Sequence, residues 1–421
     1  MADRKVDHLL IGGGIASANC ARWLREAGGT GSVLLVGREP EPPYNRPTLT
    51  KKYLTGDEQR ADAYFRKDEW WGEQDIELMT RVSVMGLDTE TRTAKLSNGE
   101  EIEFGTALLA TGANVRRLRV DGVGLEGIHY IRAYGNSDGI REELEQFGKR
   151  VVCIGGSYIG CEVAATLAAQ GADCTIVMLE DQPLERTLGP EIGAWVTTQL
   201  TALGVRIHGG HELEAFEGTG SGDDGERVSR VRASGDLVLD ADVVVVGAGV
   251  MPDAMLAQRA GLAIGERGGI LCDVNLQSSV PGIYAAGDVC EYDSPHHVGT
   301  VRVEHWDVAF NHGKTAALNM LGQPTPHEAV PYFWTDLAGK FEIESVGPAY
   351  KWDEVIFRGK LDNPDFSAWF IDDGRVAQVA TAGRSEDLEV GRKLIAAKTQ
   401  LGARAKELAD ESVALAALTG L

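Results

Sequence analysis

The sequence has few cysteines, and none of them are paired at the spacing of a metal site or a redox dithiol. Its six cysteines are spread over 421 residues, with no C-x-x-C and no C-x4-C pair. Such pairs hold structural zinc or form redox-active disulfides, so the pattern argues against both. Scattered cysteines are typical of a reducing compartment, which predicts a cytoplasmic protein without a metal site.

Long hydrophobic runs and basic runs are also missing. The longest apolar runs, such as Val243–Val246, are far too short for a membrane span, and the opening MADRKVDHLLIGGG does not form a secretory signal. The net charge is −22, and no basic run is longer than Lys51-Lys52 or Arg116-Arg117. Such a surface repels phosphate backbones and anionic lipid, so we expect neither nucleic acid nor a membrane as partner.

Glycine, by contrast, is abundant. It accounts for 52 of the 421 residues, against a usual share of about 7%. There is no collagen-like period, and the glycines lie in tight turns between apolar runs, which is typical of α/β proteins. The length predicts two or three domains.

A strand-like run, a glycine turn and a helical stretch occur twice in this order. The first copy is residues 8–11, Gly12-Gly13-Gly14 and a helix through 20–24; the second is residues 151–154, Gly155-Gly156-Ser157 and a helix through 162–167. An apolar run follows each helix, at 33–36 and at 175–179. Two βαβ units predict two parallel-sheet nucleotide-binding folds.

The first glycine turn has most of a dinucleotide site. Such a site needs backbone N–H groups close to a pyrophosphate at a helix N-terminus, and an acid about 20 residues on for a ribose hydroxyl. Gly12 and Gly14 fit, whereas the third position is Ser17. Glu39 is the acid candidate, because Arg38 stands where an acid would first be sought.

The second glycine turn differs in another position. Gly155 and Gly160 fit, with Ser157 between them. Met178 occupies the position where the acid usually stands, and Glu180 follows two residues later. No Lys or Arg lies between Glu180 and Arg186. Since an acid repels a 2′-phosphate, this favours NADH over NADPH.

The remaining segments predict hairpins, strand-ending turns and a separate C-terminal domain. Residues 80–112 are predicted to be rich in strands with a hairpin turn at Asn98-Gly99, and residues 218–225 to cap a second hairpin. Residues 108–113 and 283–289 each end a strand in a turn of small residues. In the second turn, Asp288 can accept hydrogen bonds from a sugar-alcohol chain. Together with the two glycine turns, these segments indicate that one of the two nucleotides is FAD. Aromatic strands from about residue 330 predict a separate α+β domain, and residues from 403 a packed or frayed helix.

Four segments carry a resemblance to a known family: PYNRPTLTK (43–51), PLERTLG (183–189), VEHWD (303–307) and VPYFW (330–334). Here the chain resembles FAD-dependent pyridine-nucleotide oxidoreductases of the ferredoxin, rubredoxin and putidaredoxin reductase type, including the apoptosis-inducing-factor-like branch. The resemblance covers nearly the whole chain. Thr48 and Thr50 depart mildly from the family's Pro-Tyr-x-Arg-Pro-Pro-Leu-Ser-Lys.

The resemblance implies an α/β fold with two Rossmann-like nucleotide-binding domains, for FAD and NAD, plus a C-terminal α+β domain. Residues 1–115 and 244–328 would bind FAD, and residues 116–243 would bind NAD(P)H. Residues 329–402 would form the C-terminal reductase domain, and residues 403–421 a tail.

The resemblance also assigns roles to individual residues. Lys51 would lie near flavin N5 and pair with Glu162, since an unpaired buried charge costs several kcal/mol or so. Arg46 would pair with the FAD pyrophosphate, and Trp306 and Trp334 would be aromatic walls at the flavin. Lys51 and Glu162 are the expected catalytic residues. The expected cofactor-binding residues are Gly12, Gly14, Ile15, Ala16, Glu39, Arg46, Lys51, Val82, Ala110, Thr111, Gly112, Arg132, Gly155, Ser157, Tyr158, Ile159, Glu162, Glu180, Arg186, Gly249, Gly287, Asp288, Glu304, His305, Trp306 and Trp334.

The sequence does not identify the electron acceptor. Residues 44–55 contain no cysteine, so the flavin would pass electrons to an external acceptor without a protein thiol. The leading interpretation is a ferredoxin-like iron–sulfur protein as partner of a monomer or homodimer. The alternatives are a quinone or other small molecule, or a redox-gated interaction protein like the apoptosis-inducing factor. The negative net charge disfavours attraction to an acidic ferredoxin, although Arg66, Lys67, Arg116 and Arg117 could form a basic docking patch. His208, His296 and His297 have no metal-ligand spacing and are expected at the surface.

Overall fold

The computed structural model describes residues 2–219 and 227–419. The predicted loop at 218–225 therefore lies outside the described residues, apart from Gly218 and Thr219. None of the helices within the described ranges has both the length and the apolar composition of a membrane-spanning segment.

The strands of the described ranges, in chain order, are β1 (Arg4–Ile11), β2 (Val33–Val36), β3 (Ile76–Met79), β4 (Val84–Asp88), β5 (Thr93–Leu96), β6 (Glu101–Leu109), β7 (Ala113–Val115), β8 (Ile128–His129), β9 (Arg150–Ile154), β10 (Asp173–Val177), β11 (Arg206–His208), β12 (Leu213–Gly218), β13 (Val228–Ala233), β14 (Leu237–Asp240), β15 (Val243–Val246), β16 (Val250–Pro252), β17 (Ile270–Cys272), β18 (Ile283–Ala285), β19 (Cys290–Asp293), β20 (Thr300–Val301), β21 (Tyr332–Leu337), β22 (Phe341–Val346), β23 (Glu354–Lys360), β24 (Asp365–Asp372) and β25 (Arg375–Ala382).

The α-helices are α1 (Ile15–Glu26), α2 (Lys52–Thr55), α3 (Asp68–Glu73), α4 (Tyr134–Gln146), α5 (Tyr158–Ala169), α6 (Glu185–Ala202), α7 (Met255–Arg259), α8 (Trp306–Met320) and α9 (Ser385–Ala396). Short 3₁₀ helices cover Arg46–Thr50, Arg60–Ala63, Gly287–Val289, Gly402–Ala409 and Leu415–Leu418.

The chain divides into two compact units. The first consists of Met1–Asn45, Ala61–Asn114 and Met251–Phe333; the second consists of Arg46–Arg60, Val115–Val250 and Trp334–Leu421. The five-part division expected from the sequence, with its boundaries at 115, 243, 328 and 402, stays a prediction.

The first unit is built on a sheet with the strand order β3-β2-β1-β6-β5-β4, in which β18 also pairs with β6. Its first four strands and β18 are parallel, whereas β4, β5 and β6 form an antiparallel meander around the expected Asn98-Gly99 turn. The run Val33–Val36 is buried along its whole length, as expected for a parallel strand covered on both faces. The first nucleotide-binding fold is therefore confirmed.

Helices α1 and α8 pack closely on this sheet. Asn19 of α1 donates a hydrogen bond from Nδ2 to the carbonyl oxygen of Phe310 in α8, at 2.6 Å. A Cβ atom on Gly313 would lie 2.4 Å from the carbonyl oxygen of Ala16. The contact brings the start of α8 to the side of α1.

The second unit contains an all-parallel sheet in the order β11-β10-β9-β15-β8. The apolar run Val243–Val246 lies beside β9 and is fully buried. This sheet, with α5 after β9, confirms the second nucleotide-binding fold. An antiparallel layer, β12-β13-β14, accompanies it.

Residues 46–60 group with the second unit, whereas the sequence placed them in the segment 1–115. Side chains of α4 and α5 hold this stretch: Ser137 donates to the carbonyl oxygen of Leu49, and Thr166 to that of Thr50, each at 2.8 Å. Tyr53 donates its hydroxyl to Asp138 at 2.6 Å.

The C-terminal part is the expected α+β structure. Its sheet has the order β21-β22-β25-β24-β23 and packs against α9. The side chains of Trp369, Phe370 and Leu394 are buried in its core. The aromatic strands expected from about residue 330 thus include β21 and β24.

The end of the described chain is packed, and the helix expected from residue 403 is present in 3₁₀ rather than α form. Two short 3₁₀ helices form it, and Leu408 and Leu418 are buried. Arg358, buried on β23, donates hydrogen bonds to the carbonyl oxygens of Leu408, Asp410 and Val413 at 3.3, 2.6 and 3.2 Å. Because these carbonyl groups bind a side chain, they do not continue a helical hydrogen-bond pattern.

Candidate functional site

The first glycine turn leaves space in front of a helix N-terminus. Gly12 has φ +119°, and a Cβ atom there would lie 2.2 Å from the carbonyl oxygen of Ala110. Helix α1 begins after Gly14 with no side-chain cap and no acid in its first turn, which contains Ile15 and Ala16. A Cβ atom on Gly14 would meet no atom within 4 Å. The turn thus fits a pyrophosphate that approaches the first N–H groups of α1.

Glu39 follows β2 at the same edge of the sheet. Its Oε2 accepts a hydrogen bond from the hydroxyl of Tyr44 at 2.7 Å, which fixes the carboxylate. The backbone N–H of Val82 donates to the carbonyl oxygen of Gly37 at 3.1 Å, so Val82 lies beside this segment. Arg38 instead points to Asp253, at 3.3 Å. The role of Glu39 as the ribose-binding acid stays a prediction.

The small-residue turns after β6 and β18 lie side by side, because Leu109 and Ala285 are paired in the sheet. After β6, Ala110 is buried and Thr111 donates its hydroxyl to the carbonyl oxygen of Asp253 at 2.7 Å. Gly112 follows with φ +73°.

After β18, Gly287 adopts φ +74° and the half-buried Asp288 follows in a 3₁₀ turn. The N–H of Gly287 donates to Nδ1 of His312 at 3.2 Å. Burial lowers the pKa of His312 well below its usual range, so the ring is neutral and can accept this hydrogen bond. His312 could not be predicted from the sequence, because a lone histidine inside a helix carries no signal of its own.

The start of α8 contains the tryptophan that the resemblance places at the flavin. Trp306 donates from Nε1 to Asn45 at 3.0 Å and stacks on Phe310, with ring centroids 4.9 Å apart. His305 is the N-cap residue of α8 and accepts the N–H of Asp307. Glu304 forms an ion pair with Arg302 at 2.5 Å. Trp334 is half-buried in β21. The roles of Glu304, His305, Trp306 and Trp334 at a flavin stay predictions.

The second glycine turn uses its serine as a helix cap. A Cβ atom on Gly155 would lie 2.7 Å from the carbonyl oxygen of Gly247, and φ there is +102°. Ser157 donates its hydroxyl to this carbonyl oxygen at 2.7 Å and accepts the N–H of Gly160 at 3.4 Å. Tyr158 and Ile159 follow in the first turn of α5. The departure at Ser157 is thus a capping residue in place of a glycine.

Glu180 lies in an open cleft after β10. Met178 at the usual acid position is buried, and its Sδ lies 2.2 Å from the position that a Cβ atom on Gly156 would take. Glu180 forms an ion pair with Nε of Arg186 at 2.9 Å, and the Arg186 side chain is 82% exposed. The cleft has a volume of about 450 Å³ and is lined by Leu179, Glu180, Asp181, Glu185, Arg186, Pro190 and Trp352. Trp352, from the C-terminal domain, was not found from the sequence.

Arg46 and Arg132 are brought together in the second unit. Nη1 of Arg46 donates to the carbonyl oxygen of Arg132 at 2.6 Å, and the N–H of Arg132 donates to Asn136 at the start of α4. Gly249, with φ +87°, accepts the N–H of Arg116 at 3.0 Å. Their part in binding FAD stays a prediction.

The expected pair of Lys51 and Glu162 is present and largely buried. Nζ of Lys51 lies 2.5 Å from Oε2 of Glu162, and the side chains are 18% and 11% exposed. The carboxylate also accepts hydrogen bonds from the hydroxyls of Thr50, at 2.6 Å, and Thr335, at 2.7 Å. Neither threonine was assigned a role from the sequence.

Three histidines outside these sites are less exposed than the sequence indicated. His208, His296 and His297 are half-buried rather than exposed. His296 contacts the carbonyl oxygen of Glu328 at 2.7 Å, and His297 contacts the hydroxyl of Ser294 at 2.8 Å. Within residues 2–219 and 227–419, no group of three His, Cys, Asp or Glu side chains is arranged to hold a metal ion.

Comparison with known proteins gives consistent matches over both parts of the chain. A family model described as pyridine nucleotide-disulphide oxidoreductase matches residues 6–313, and one described as reductase C-terminal matches residues 332–419. The chain is 32% identical over 414 residues to the ferredoxin reductase subunit of 5,5′-dehydrodivanillate O-demethylase from a Sphingobium species, with 98% of each chain covered. It is 31% identical over 412 residues to putidaredoxin reductase from Pseudomonas putida, with 97% of this chain and 95% of the other covered. Among solved structures it is similar to the covalent putidaredoxin reductase–putidaredoxin complex, with a TM-score of 0.91, 30% identity, and 100% and 99% coverage.

Proposed function

The chain belongs to the pyridine nucleotide-disulphide oxidoreductase family, and from this we propose that it is an FAD-dependent reductase that takes hydride from NADH and delivers electrons to a small ferredoxin-like iron–sulfur protein. The observation that carries the proposal is the presence of two glycine turns, each between a parallel strand and a helix N-terminus of its own nucleotide-binding fold. The named relatives are ferredoxin or putidaredoxin reductases over almost their full length.

The cysteines of this chain support direct electron transfer from the flavin to the acceptor. FAD supplies a carrier that accepts hydride as an electron pair and releases electrons singly. All six cysteines are free and buried, and none lies in residues 44–55. Burial raises the pKa of the Cys20 and Cys161 thiols above their ordinary value, which disfavours the thiolate that a disulfide relay needs. These buried thiols also support a cytoplasmic location.

The chain's own residues would bind and orient the two nucleotides. The first N–H groups of α1 and the carboxylate of Glu39 would hold the pyrophosphate and ribose of FAD, and Asp288 its sugar-alcohol chain. The N-terminus of α5 would hold the pyrophosphate of NADH. Lys51 would stabilise the negative charge that accumulates on the flavin during reduction, and Glu162 would hold the Lys51 ammonium in place.

The acceptor is tested by steady-state turnover with NADH. We expect cytochrome c reduction to be slow with the reductase alone and to become fast when a ferredoxin is added. Fast reduction of a quinone without ferredoxin would instead support a small-molecule reductase. A persistent charge-transfer complex with negligible turnover would overturn the reductase proposal in favour of a redox-gated interaction protein.

Two of the four basic residues suggested for docking, Arg66 and Arg117, lie over aromatic rings. The guanidinium group of Arg66 lies 4.5 Å from the ring centroid of Phe65, and that of Arg117 lies 4.7 Å from the ring centroid of Tyr130. Such contacts orient a cation without neutralising its charge. They therefore support a role for Arg66 and Arg117 in attracting an acidic partner.

Cofactor preference provides a further prediction. We expect kcat/KM for NADH to exceed that for NADPH by at least about tenfold, because the Glu180 carboxylate repels a 2′-phosphate and occupies Arg186. Glu180→Ala removes the repulsion and frees the guanidinium group, so the ratio should fall. The matched control is Glu142→Ala, which removes an exposed acid on α4 outside the cleft. A wild-type ratio that favours NADPH would show the prediction to be wrong.

A further inference from the structure

We infer that Thr50 and Thr335 are positioning residues of this reductase: their hydroxyl groups hold the Glu162 carboxylate so that one oxygen faces the Lys51 ammonium. The inference rests on the proposed function, because it concerns the pair to which that function assigns flavin reduction. Nothing in the sequence motifs points to either threonine as a partner of Glu162.

The two carboxylate oxygens of Glu162 are used differently. Oε2 faces Lys51 at 2.5 Å and also accepts the hydroxyl of Thr50 at 2.6 Å. Oε1 accepts the hydroxyl of Thr335 at 2.7 Å. A carboxylate bound at both oxygens cannot rotate about its Cγ–Cδ bond without breaking a hydrogen bond. The Thr335 contact therefore fixes the direction in which Oε2 meets Lys51.

Three separate chain segments form this cluster. Glu162 lies on α5, Thr50 and Lys51 are adjacent at the end of a 3₁₀ turn, and Thr335 comes from β21. Thr50, Glu162 and Thr335 are all buried. A buried carboxylate oxygen that loses its hydrogen-bond donor cannot bind water instead. Each hydroxyl therefore stabilises the carboxylate more than it would at the surface.

The hydroxyl of Thr50 has two acceptors within reach. Oε2 of Glu162 is 2.6 Å away, and the carbonyl oxygen of Pro47 is 3.2 Å away. Its single proton goes to the shorter contact with the charged oxygen, since hydrogen bonds to ionised acceptors are stronger. The backbone of Thr50 is itself fixed by the hydroxyl of Thr166 on α5, at 2.8 Å.

Neutral donors suit this position better than a second cation. One ammonium and one carboxylate balance in charge, and hydroxyl groups satisfy the remaining lone pairs without changing that balance. A second cation would compete with Lys51 for the carboxylate and would leave an excess positive charge. The hydroxyl groups therefore orient Glu162 while Lys51 keeps its full interaction with it.

The test compares Thr335→Val with Thr335→Ser in the FAD-loaded protein. Valine keeps the shape but lacks the donor, so we expect flavin reduction by NADH in stopped flow to slow about tenfold, with unchanged FAD content. The long-wavelength charge-transfer absorbance of the reduced protein with NAD⁺ should weaken as well. Serine restores the donor and should return both quantities to within about twofold of wild type. Thr50→Val should behave like Thr335→Val.

Two controls separate positioning from packing. Thr381→Val makes the same change at another buried threonine of the C-terminal sheet, whose hydroxyl accepts the N–H of Arg384; it should lower the melting temperature only. In a Glu162→Gln background, Thr335→Val should add little to the slowing of flavin reduction, because both changes act through the same carboxylate.

The outcomes distinguish the inference from the function on which it rests. If Lys51→Ala and Glu162→Gln leave flavin reduction at the wild-type rate, the proposed role of the pair is wrong. If these variants slow reduction but Thr335→Val lowers only the melting temperature, with rate and charge-transfer absorbance unchanged, the positioning role of Thr335 is wrong and the function stands.

Discussion

Lys51→Ala is expected to slow reduction of the bound flavin by NADH roughly 10²-fold, equivalent to a few kcal/mol, without loss of FAD. The Lys51 ammonium, held beside the flavin, would stabilise the negative charge that the flavin gains on reduction. The structure supplies the means of fixing the ammonium, because Nζ of Lys51 lies 2.5 Å from the Glu162 carboxylate and both side chains are largely buried. Glu162→Ala should also slow this reduction, because it releases the Lys51 ammonium, and it should in addition change nicotinamide affinity and charge-transfer absorbance.

Stopped-flow mixing with NADH measures this directly. The chain offers a matched control in Lys52→Ala, which removes the next lysine, an exposed residue that begins α2. The control should reduce flavin at the wild-type rate. If Lys51→Ala also does so while its melting temperature falls, the ion pair has only a structural role.

Gly14→Ala is expected to abolish tight FAD binding while leaving the polypeptide folded. Gly14 has φ −94° and ψ 178°, which alanine adopts freely, and a Cβ atom there would meet no atom of the protein within 4 Å. The added methyl group would instead fill the space in front of α1, where the pyrophosphate must approach the backbone. We expect the purified variant to be colourless and to bind added FAD at least about 10²-fold more weakly.

The measurement is the flavin absorbance released into the filtrate after acid precipitation, together with the melting temperature of the apoprotein. Gly72→Ala is the matched control, since a Cβ atom on this α3 glycine also meets nothing within 4 Å. Gly12→Ala should instead fail to fold, because its Cβ atom would lie 2.2 Å from a backbone oxygen. Full FAD content in Gly14→Ala would contradict a pyrophosphate site at this turn.

The two nucleotide folds were predictable because their signals are local. A buried strand, a glycine turn and a helix follow within a few residues of each other, and the pattern occurs twice. Even the departure at Ser157 is explained locally, since its side chain caps the helix that it begins. Local patterns of this kind survive folding unchanged.

The parts that were missed depend on contacts between distant segments. Thr50 and Thr335 lie 112 and 173 residues from Glu162 in sequence. A threonine in a sequence gives no indication of so distant a hydrogen-bond partner. The end of the 3₁₀ helix Gly402–Ala409 is held by Arg358, whose guanidinium group binds the carbonyl groups of Leu408 and Asp410, about 50 residues ahead.

The burial of the cysteines has a practical consequence for studying this protein. All six are free and buried, and burial raises the pKa of Cys174 to about 12 and that of Cys20 and Cys290 above the ordinary value. Maleimides and other thiol reagents react with exposed thiolates, so the native chain offers them almost no target. A single cysteine introduced at an exposed position, such as Val298, which is 98% exposed, would carry a fluorophore, spin label or cross-linker without prior removal of the natural thiols.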